Sequence, residues 1–166
     1  MTRVLVAYGT TRGGTEGVAQ MIGDDLREHG HVVVVQPAAE VKEFTDVDAV
    51  VVAGALYAGR WHKDARQFVS RHEGGLAKVP VWLVATGPLG ESTSDVLSTV
   101  KPVGHVRAAA DRIGARGTKT FGGRLLSDAK GFPASAMAKK MSGDWRDPDE
   151  IATWVDTIDE ELQASV

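Results

Sequence analysis

A short loop near the amino terminus combines the residue types that bind anions. Residues 10–15 contain three threonines, two adjacent glycines and Arg12, between an apolar strand pattern and an amphipathic helix pattern. Backbone N–H groups at a helix N-terminus favour negative charge, and an arginine adds a forked donor that suits phosphate oxygens. The sequence therefore predicts a phosphate-binding loop made of Thr10, Thr11, Arg12, Gly13, Gly14 and Thr15. The alternative is a turn that uses glycine for tightness and threonine for capping.

Spacing around this loop narrows the class of phosphate ligand. No Gly-Lys-Ser/Thr sequence follows it, which excludes the triphosphate-binding loop. The three spaced glycines of dinucleotide-binding proteins are absent, and the second predicted strand ends at Gln36 and Pro37 without an acidic residue for a ribose. The first and third predicted strands do not end in the acidic residues of a phospho-receiver. These exclusions leave a mononucleotide as the predicted ligand, with its phosphate held by hydroxyls and backbone amides.

Strand and helix patterns alternate along the whole chain. Strands are predicted over residues 3–8, 31–36, 46–54, 80–86 and 118–125, and helices over 15–29, 63–72, 106–113 and 148–162. This alternation predicts one α/β domain over residues 1–166, with a parallel sheet covered by helices on both faces. Ligands of such sheets lie beyond the carboxyl ends of the strands, where the strand order reverses.

The composition is that of an ordinary globular protein, with 43% apolar and 25% charged residues. No apolar run approaches the ~20 residues that span a bilayer, and no signal-peptide pattern opens the chain, so we expect a cytoplasmic protein. The chain has no cysteine, and its five histidines lack metal-ligand spacing, so no metal site is predicted. A net charge of −3 argues against nucleic acid as a partner.

Residues 8–16, Tyr-Gly-Thr-Thr-Arg-Gly-Gly-Thr-Glu, resemble the phosphate loop of flavodoxins. The resemblance implies FMN as the cofactor and a flavodoxin-like three-layer sandwich with a five-stranded parallel sheet of order 2-1-3-4-5. Arg12 stands where flavodoxins usually have threonine, and Gly14 where they often have asparagine. Within the superfamily, the Thr-x-Arg form is more similar to the branch of menaquinone-dependent protoporphyrinogen IX dehydrogenase.

The loop after the third strand, residues 54–63, is a candidate site for a flavin ring. Such a ring needs an apolar or aromatic contact surface, which Tyr57 and Trp61 would supply. The predicted ring contacts are Leu56, Tyr57, Ala58, Gly59 and Trp61. The alternative is that Trp61 caps the core. His62 is a weak candidate for acid–base chemistry, and no catalytic residue is predicted.

The loop after the fourth strand is the second candidate for ring contacts. In flavodoxins the corresponding loop wraps the ring through backbone amides and supplies a stacking tyrosine. Here no aromatic residue lies between Trp82 and Phe121, so one ring face is expected to be open to a flat substrate. The predicted contacts are Thr86, Gly87, Pro88, Leu89 and Gly90. The alternative is a tight turn with no ligand.

Residues 124–147 form an unusually long connection before the last helix, and its basic segment is residues 124–146. The segment carries five basic and two acidic side chains, a net charge of +3, and a helical pattern over residues 134–141. One interpretation is contact with an anionic membrane surface, at the inner face of the membrane, or with the propionates of a porphyrin. The other is an irregular excursion packed on the domain.

Three functions remain open. The first is an FMN-dependent oxidoreductase that resembles protoporphyrinogen IX dehydrogenase, with a small-molecule substrate and a quinone as acceptor. The second is a flavodoxin-type electron carrier serving a redox partner protein. Carriers usually present acidic residues near the flavin, whereas this chain has Arg60, His62 and Lys63 in the loop after the third strand. The third is a ligand-binding module that has lost FMN.

Overall fold

Strands and helices alternate as the sequence predicts. The computed structural model describes residues 2–9, 14–42, 47–57, 60–87, 104–122, 124–125, 143–144 and 148–164. Its strands are β1 (Arg3–Gly9), β2 (Val32–Pro37), β3 (Ala49–Tyr57), β4 (Arg60–Trp61), β5 (Val81–Gly87), β6 (Gly117–Gly122), β7 (Arg124–Leu125) and β8 (Gly143–Asp144). Its helices are α1 (Gly14–Glu28), α2 (Lys63–Arg71), α3 (Glu73–Leu76), α4 (Gly104–Ile113) and α5 (Pro148–Ala164), with a 3₁₀ turn at Ala38–Glu40.

Five parallel strands form the sheet in the order β2-β1-β3-β5-β6. Counted along the chain without the short β4, this is the order 2-1-3-4-5, and the predicted fold class is confirmed. The central strand β3 pairs with β1 on one side and β5 on the other. Its residues 49–53 are all fully buried, because alternate side chains enter the two cores on opposite faces of the sheet.

Helices cover both faces of the sheet. On one face, α1 and α5 bury apolar side chains at helical spacing: Val18, Ile22 and Leu26 from α1, and Ile151, Val155, Ile158 and Leu162 from α5. On the other face, α2 and α4 contribute Ala65, Phe68, Val69, Val106, Ala109 and Ile113. These are the apolar stripes expected of amphipathic helices over a core. None of the helices in the described ranges is long and apolar enough to cross a membrane.

Two strand ends differ from the sequence prediction. The strand predicted to reach residue 125 leaves the sheet after Gly122, and β7 instead pairs antiparallel with β8. Arg124 lies opposite Asp144, so the two ends of the long connection lie next to each other. The helix predicted over residues 134–141 lies outside the described residues. Strand β3 continues to Tyr57, and β4 folds back on it as a hairpin.

A polar cluster joins α5 to the turn between α1 and β2. The carboxylate of Asp159 is 6% exposed and accepts hydrogen bonds from His31 Nε2 and Gln163 Nε2, both at 2.7 Å. His29 Nδ1 lies 3.4 Å from the same carboxylate, and His29 Nε2 bonds Asp156 at 2.8 Å. Because Asp159 is buried, its partners hold the last helix against the amino-terminal half of the chain.

Replacing Asp159 with alanine should therefore lower the free energy of unfolding by about 1–3 kcal/mol, because the buried His31 would lose its acceptor. Asp156→Ala is the control, since its side chain is 59% exposed and an exposed ion pair contributes only about 0–1 kcal/mol. Urea denaturation measures both variants. Equal losses would contradict the role given to the buried carboxylate.

Candidate functional site

The register of the sheet brings three strand ends to one edge. Gly9 of β1 pairs with Gly54 of β3, and Ala55 of β3 pairs with Thr86 of β5. The chain therefore leaves these three parallel strands at the same edge, which is where all three predicted binding loops begin. Helix α1 starts after the first of these loops, and α2 starts after the β3–β4 hairpin.

The predicted site residues divide into those that the structure describes and those that it does not. Thr10, Thr11, Arg12, Gly13, Ala58, Gly59, Pro88, Leu89 and Gly90 lie outside the described residues. Gly14 begins α1, Leu56 and Tyr57 end β3, and Gly87 ends β5. Thr15, Trp61 and Thr86 are described with their side chains, and all three are buried.

Two of these side chains join the first predicted loop to the third. Thr15 Oγ1 lies 2.7 Å from Thr86 Oγ1, across 71 residues of sequence. The two residues are 1% and 3% exposed. The hydroxyl in the first turn of α1 is thus fixed against the end of β5, and the two predicted loops start side by side.

Gly9 and Gly54 allow α2 to pack directly on the ends of β1 and β3. A Cβ on Gly9 would lie 2.8 Å from His62 Nδ1, and one on Gly54 would lie 2.5 Å from Trp61 Nε1. Neither approach is possible with a side chain at these positions. Glycine is needed at both positions for close packing between elements.

Trp61 lies in the core beneath this edge. Its indole is fully buried, and Nε1 donates a hydrogen bond to the Val84 carbonyl oxygen at 3.1 Å. Arg66 Nε donates to the Trp61 carbonyl oxygen at 3.0 Å. This geometry supports the alternative that Trp61 caps the core, because the indole packs among the apolar side chains of the core on the α2 face and its N–H is used on the sheet. Ring contact by Trp61 stays a prediction that this packing disfavours.

His62 caps the N-terminus of α2. Its Nδ1 accepts the backbone N–H of Asp64 at 3.0 Å, so this nitrogen carries no proton in the arrangement. Histidine is not among the usual N-cap residues, which is why the sequence did not reveal the cap. The side chain therefore has a structural role, in agreement with its low rank as an acid–base candidate.

Tyr8 and Glu16 flank the predicted phosphate loop on its two sides. The Tyr8 hydroxyl donates to Glu16 Oε1 at 3.1 Å. Burial raises the pKa of the Tyr8 phenol, and the hydrogen bond to Glu16, the charge of Glu16 and the charge of Glu40 raise that pKa further. The acidic side chain in the first turn of α1 is thereby engaged with β1. The sequence prediction did not include this pair, although Tyr8 and Glu16 are polar residues on either side of the predicted loop.

The donor set at this edge fits a phosphate group. The two hydroxyls of Thr15 and Thr86 carry two protons, of which their mutual bond uses one. The other proton is available to an acceptor near the first turn of α1, where the helix dipole favours an anion. For metals, no group of three or more suitable ligands exists among the described residues.

The comparisons with known proteins agree with this architecture. Residues 5–145 match the family model described as the flavodoxin domain. The chain belongs to the flavodoxin domain family. A flavodoxin of Nitratidesulfovibrio vulgaris (strain DSM 19637 / Miyazaki F) is 43% identical over 42 residues, which are 25% of this chain and 28% of that flavodoxin. FMN, the cofactor predicted from the loop, is the cofactor of this family.

Solved structures show the same fold. The rubredoxin oxygen:oxidoreductase of Desulfovibrio gigas superposes with a TM-score of 0.67 at 12% identity, over 98% of this chain and 36% of that one. A flavodoxin from Streptococcus pneumonia TIGR4 gives 0.61 at 20% identity, over 99% and 100%. This chain thus spans about a third of the oxidoreductase and the full length of the second flavodoxin.

Gly54→Ala tests the close packing of α2 on the sheet. The added methyl group would collide with Trp61 and Ala65, so we expect a loss of about 1–3 kcal/mol in the free energy of unfolding. Gly74→Ala is the matched control, because nothing lies within 4 Å of a Cβ there, and it should be neutral or stabilise by roughly 0.4–1 kcal/mol. Equal effects in urea denaturation would refute the packing argument.

Tyr8→Phe tests the Tyr8–Glu16 pair through its pH dependence. Since the folded protein raises the pKa of Tyr8, it holds the phenol proton more tightly than the unfolded chain does. That stability is fully present below the ordinary tyrosine pKa of about 10 and is lost as the pH rises through the raised pKa. Between about pH 9 and pH 11 the variant should therefore lose stability less steeply than the unaltered protein. Urea denaturation at each pH measures the stability, and an equal fall of stability with pH in the two proteins would contradict this.

Proposed function

We propose that this protein is an FMN-dependent oxidoreductase whose cofactor lies across the carboxyl ends of β1, β3 and β5. The observation that carries the proposal is the register that aligns Gly9 with Gly54 and Ala55 with Thr86. It brings the phosphate loop and both ring loops to one edge of the sheet. In open α/β sheets, ligands bind at such an edge where the strand order reverses.

In this proposal the three loops divide the cofactor between them. Thr10, Thr11, Arg12, Gly13, Gly14 and Thr15 hold the phosphate. Residues 56–59, at the end of β3, and residues 86–90, at the end of β5, would contact the ring, and Trp61 supports the first of these loops from the core. The domain is a single unit over residues 1–166.

The bound flavin supplies the redox chemistry, and the protein supplies binding and orientation. Arg12 and the N-terminus of α1 offset the phosphate charge. The fully buried Trp61 and the α2 cap at His62 close the edge of β1 and β3 from below, which keeps water out of the core. The described part of the edge contains no side chain placed as a general base, so the catalytic residue is left unassigned.

The more specific proposal is oxidation of a flat small molecule, as in protoporphyrinogen IX dehydrogenase, with a quinone as acceptor. Two features support it: the Thr-x-Arg form of the phosphate loop, and the lack of an aromatic residue in the second ring loop, which leaves room for a planar substrate. Lys63, at the start of α2, is exposed and provides positive charge near this edge for an acidic substrate.

A flavodoxin-type carrier is the second candidate, favoured by the local match to the Nitratidesulfovibrio flavodoxin. The two functions differ in what oxidises the reduced protein. Under the first, a soluble menaquinone analogue should oxidise the FMN-loaded, reduced protein rapidly and in a single two-electron event. Oxidation by redox proteins alone, with the quinone inert, would favour the carrier.

The place of action is proposed to be the cytoplasm, at the inner face of the membrane when residues 124–146 make contact with lipid. The net positive charge of this segment supports the proposal. The pairing of β7 with β8 brings the two ends of this segment together. Sedimentation with anionic vesicles, compared with neutral vesicles, tests this contact.

Arg12→Ala combined with Thr15→Ala tests the assignment of the phosphate loop. We expect FMN affinity to fall by at least about 100-fold, because each of the two lost charge-assisted hydrogen bonds contributes roughly 1.5–3 kcal/mol. Affinity for riboflavin, which has no phosphate, should change little. Flavin fluorescence quenching measures both constants. Arg107→Ala, which removes an exposed arginine of α4, is the control for charge alone, and unchanged FMN affinity in the double variant would refute the assignment.

A further inference from the structure

The buried hydroxyls of Thr15 and Thr86 share a hydrogen bond in which either residue is able to be the donor. Thr15 lies in the first turn of α1, and Thr86 is the residue before the last of β5. Their oxygens are 2.7 Å apart, and either atom is able to donate. Within the described residues, neither hydroxyl makes another hydrogen bond.

The hydrogen bond between Thr15 and Thr86 has two possible directions, because either hydroxyl is able to donate. Each hydroxyl has one proton to donate and lone pairs to accept with. A phosphate at neutral pH presents acceptor oxygens. If the phosphate accepts a hydrogen bond from Thr15, the Thr15 proton points to the phosphate, and the proton between the two threonines must then come from Thr86. An anion thus selects one of the two directions.

We propose that Thr86 is a positioning residue for the FMN phosphate, and that its hydroxyl donates to Thr15 Oγ1 so that Thr15 donates to the phosphate. The proposal rests on the proposed function, since it takes FMN as the ligand. Burial strengthens the arrangement, because hydrogen bonds in series polarise one another where the local dielectric is low. The hydrogen bond from Thr15 to the phosphate is strengthened most, because hydrogen bonds to a charged group are stronger than those between neutral groups.

The same bond connects two of the predicted binding loops. Thr86 is the first residue of the second ring loop, residues 86–90, whereas Thr15 belongs to the phosphate loop. Phosphate binding therefore fixes the direction of a hydrogen bond that starts at the base of the ring loop. A residue on β5, remote in sequence from the phosphate loop, is assigned to phosphate recognition through its contact with α1.

Thr86→Val tests the proposal, because valine keeps the shape of threonine and lacks the hydroxyl. FMN affinity should fall by about fivefold to tenfold, the value of one net hydrogen bond. Riboflavin affinity should stay within about twofold, because the ring loop is expected to meet the ring through its backbone, which valine keeps, while the Thr86 side chain is used on Thr15. Thr86→Ser keeps the donor and should restore FMN binding. Thr15→Val combined with Thr86→Val should bind FMN no worse than Thr15→Val alone, since the second hydroxyl acts through the first.

The controls separate this proposal from the function on which it rests. Thr118→Val removes an exposed hydroxyl from β6 and should leave both affinities unchanged. If urea denaturation shows that Thr86→Val does not fold, Thr86→Ala is used in its place. Equal losses for FMN and riboflavin, or no loss for either, would overturn the role of Thr86 alone. An unaltered protein that binds no FMN would overturn the proposed function and this inference together.

Discussion

The parallel pairing of β3 with β1 and β5 is the constraint on which the rest of the site depends. Gly9 and Gly54 lie side by side in this pairing, and both are in closer contact with the start of α2 than a side chain would allow. The helix therefore rests directly on the strand ends, with Trp61 sealed beneath it. Because β3 is buried on both faces, its register is fixed by two cores at once. That register decides which loops meet.

Several described polar groups around this edge are paired inside the protein. Tyr8 bonds Glu16, His62 bonds the backbone of Asp64, and Thr15 bonds Thr86. The first and third pairs tie a strand end to the start of α1, and the second caps the start of α2, so these bonds hold the described frame around the loops. A frame of this kind lowers the ordering cost of binding. It is also consistent with a fold family in which the cofactor carries the chemistry and the protein positions it.

Most of the fold was predictable because it follows local rules. The apolar run over residues 49–53 predicts a strand buried on both faces, and the four-residue spacing of Val18, Ile22 and Leu26 predicts the buried face of α1. The sequence offered the burial of Trp61 only as an alternative to ring contact, since this burial depends on a glycine in another element and on the Val84 carbonyl. The bond between Thr15 and Thr86 likewise joins residues 71 positions apart, and only the strand order brings them together.

A fluorescence titration of the purified protein with FMN tests the central claim most directly. If the edge formed by β1, β3 and β5 is a flavin mononucleotide site, FMN should bind at one equivalent per chain with a perturbed absorbance spectrum. Inorganic phosphate should compete with it, since both would occupy the loop at the start of α1. A flavin spectrum identical to that of free FMN at every protein concentration would contradict the account.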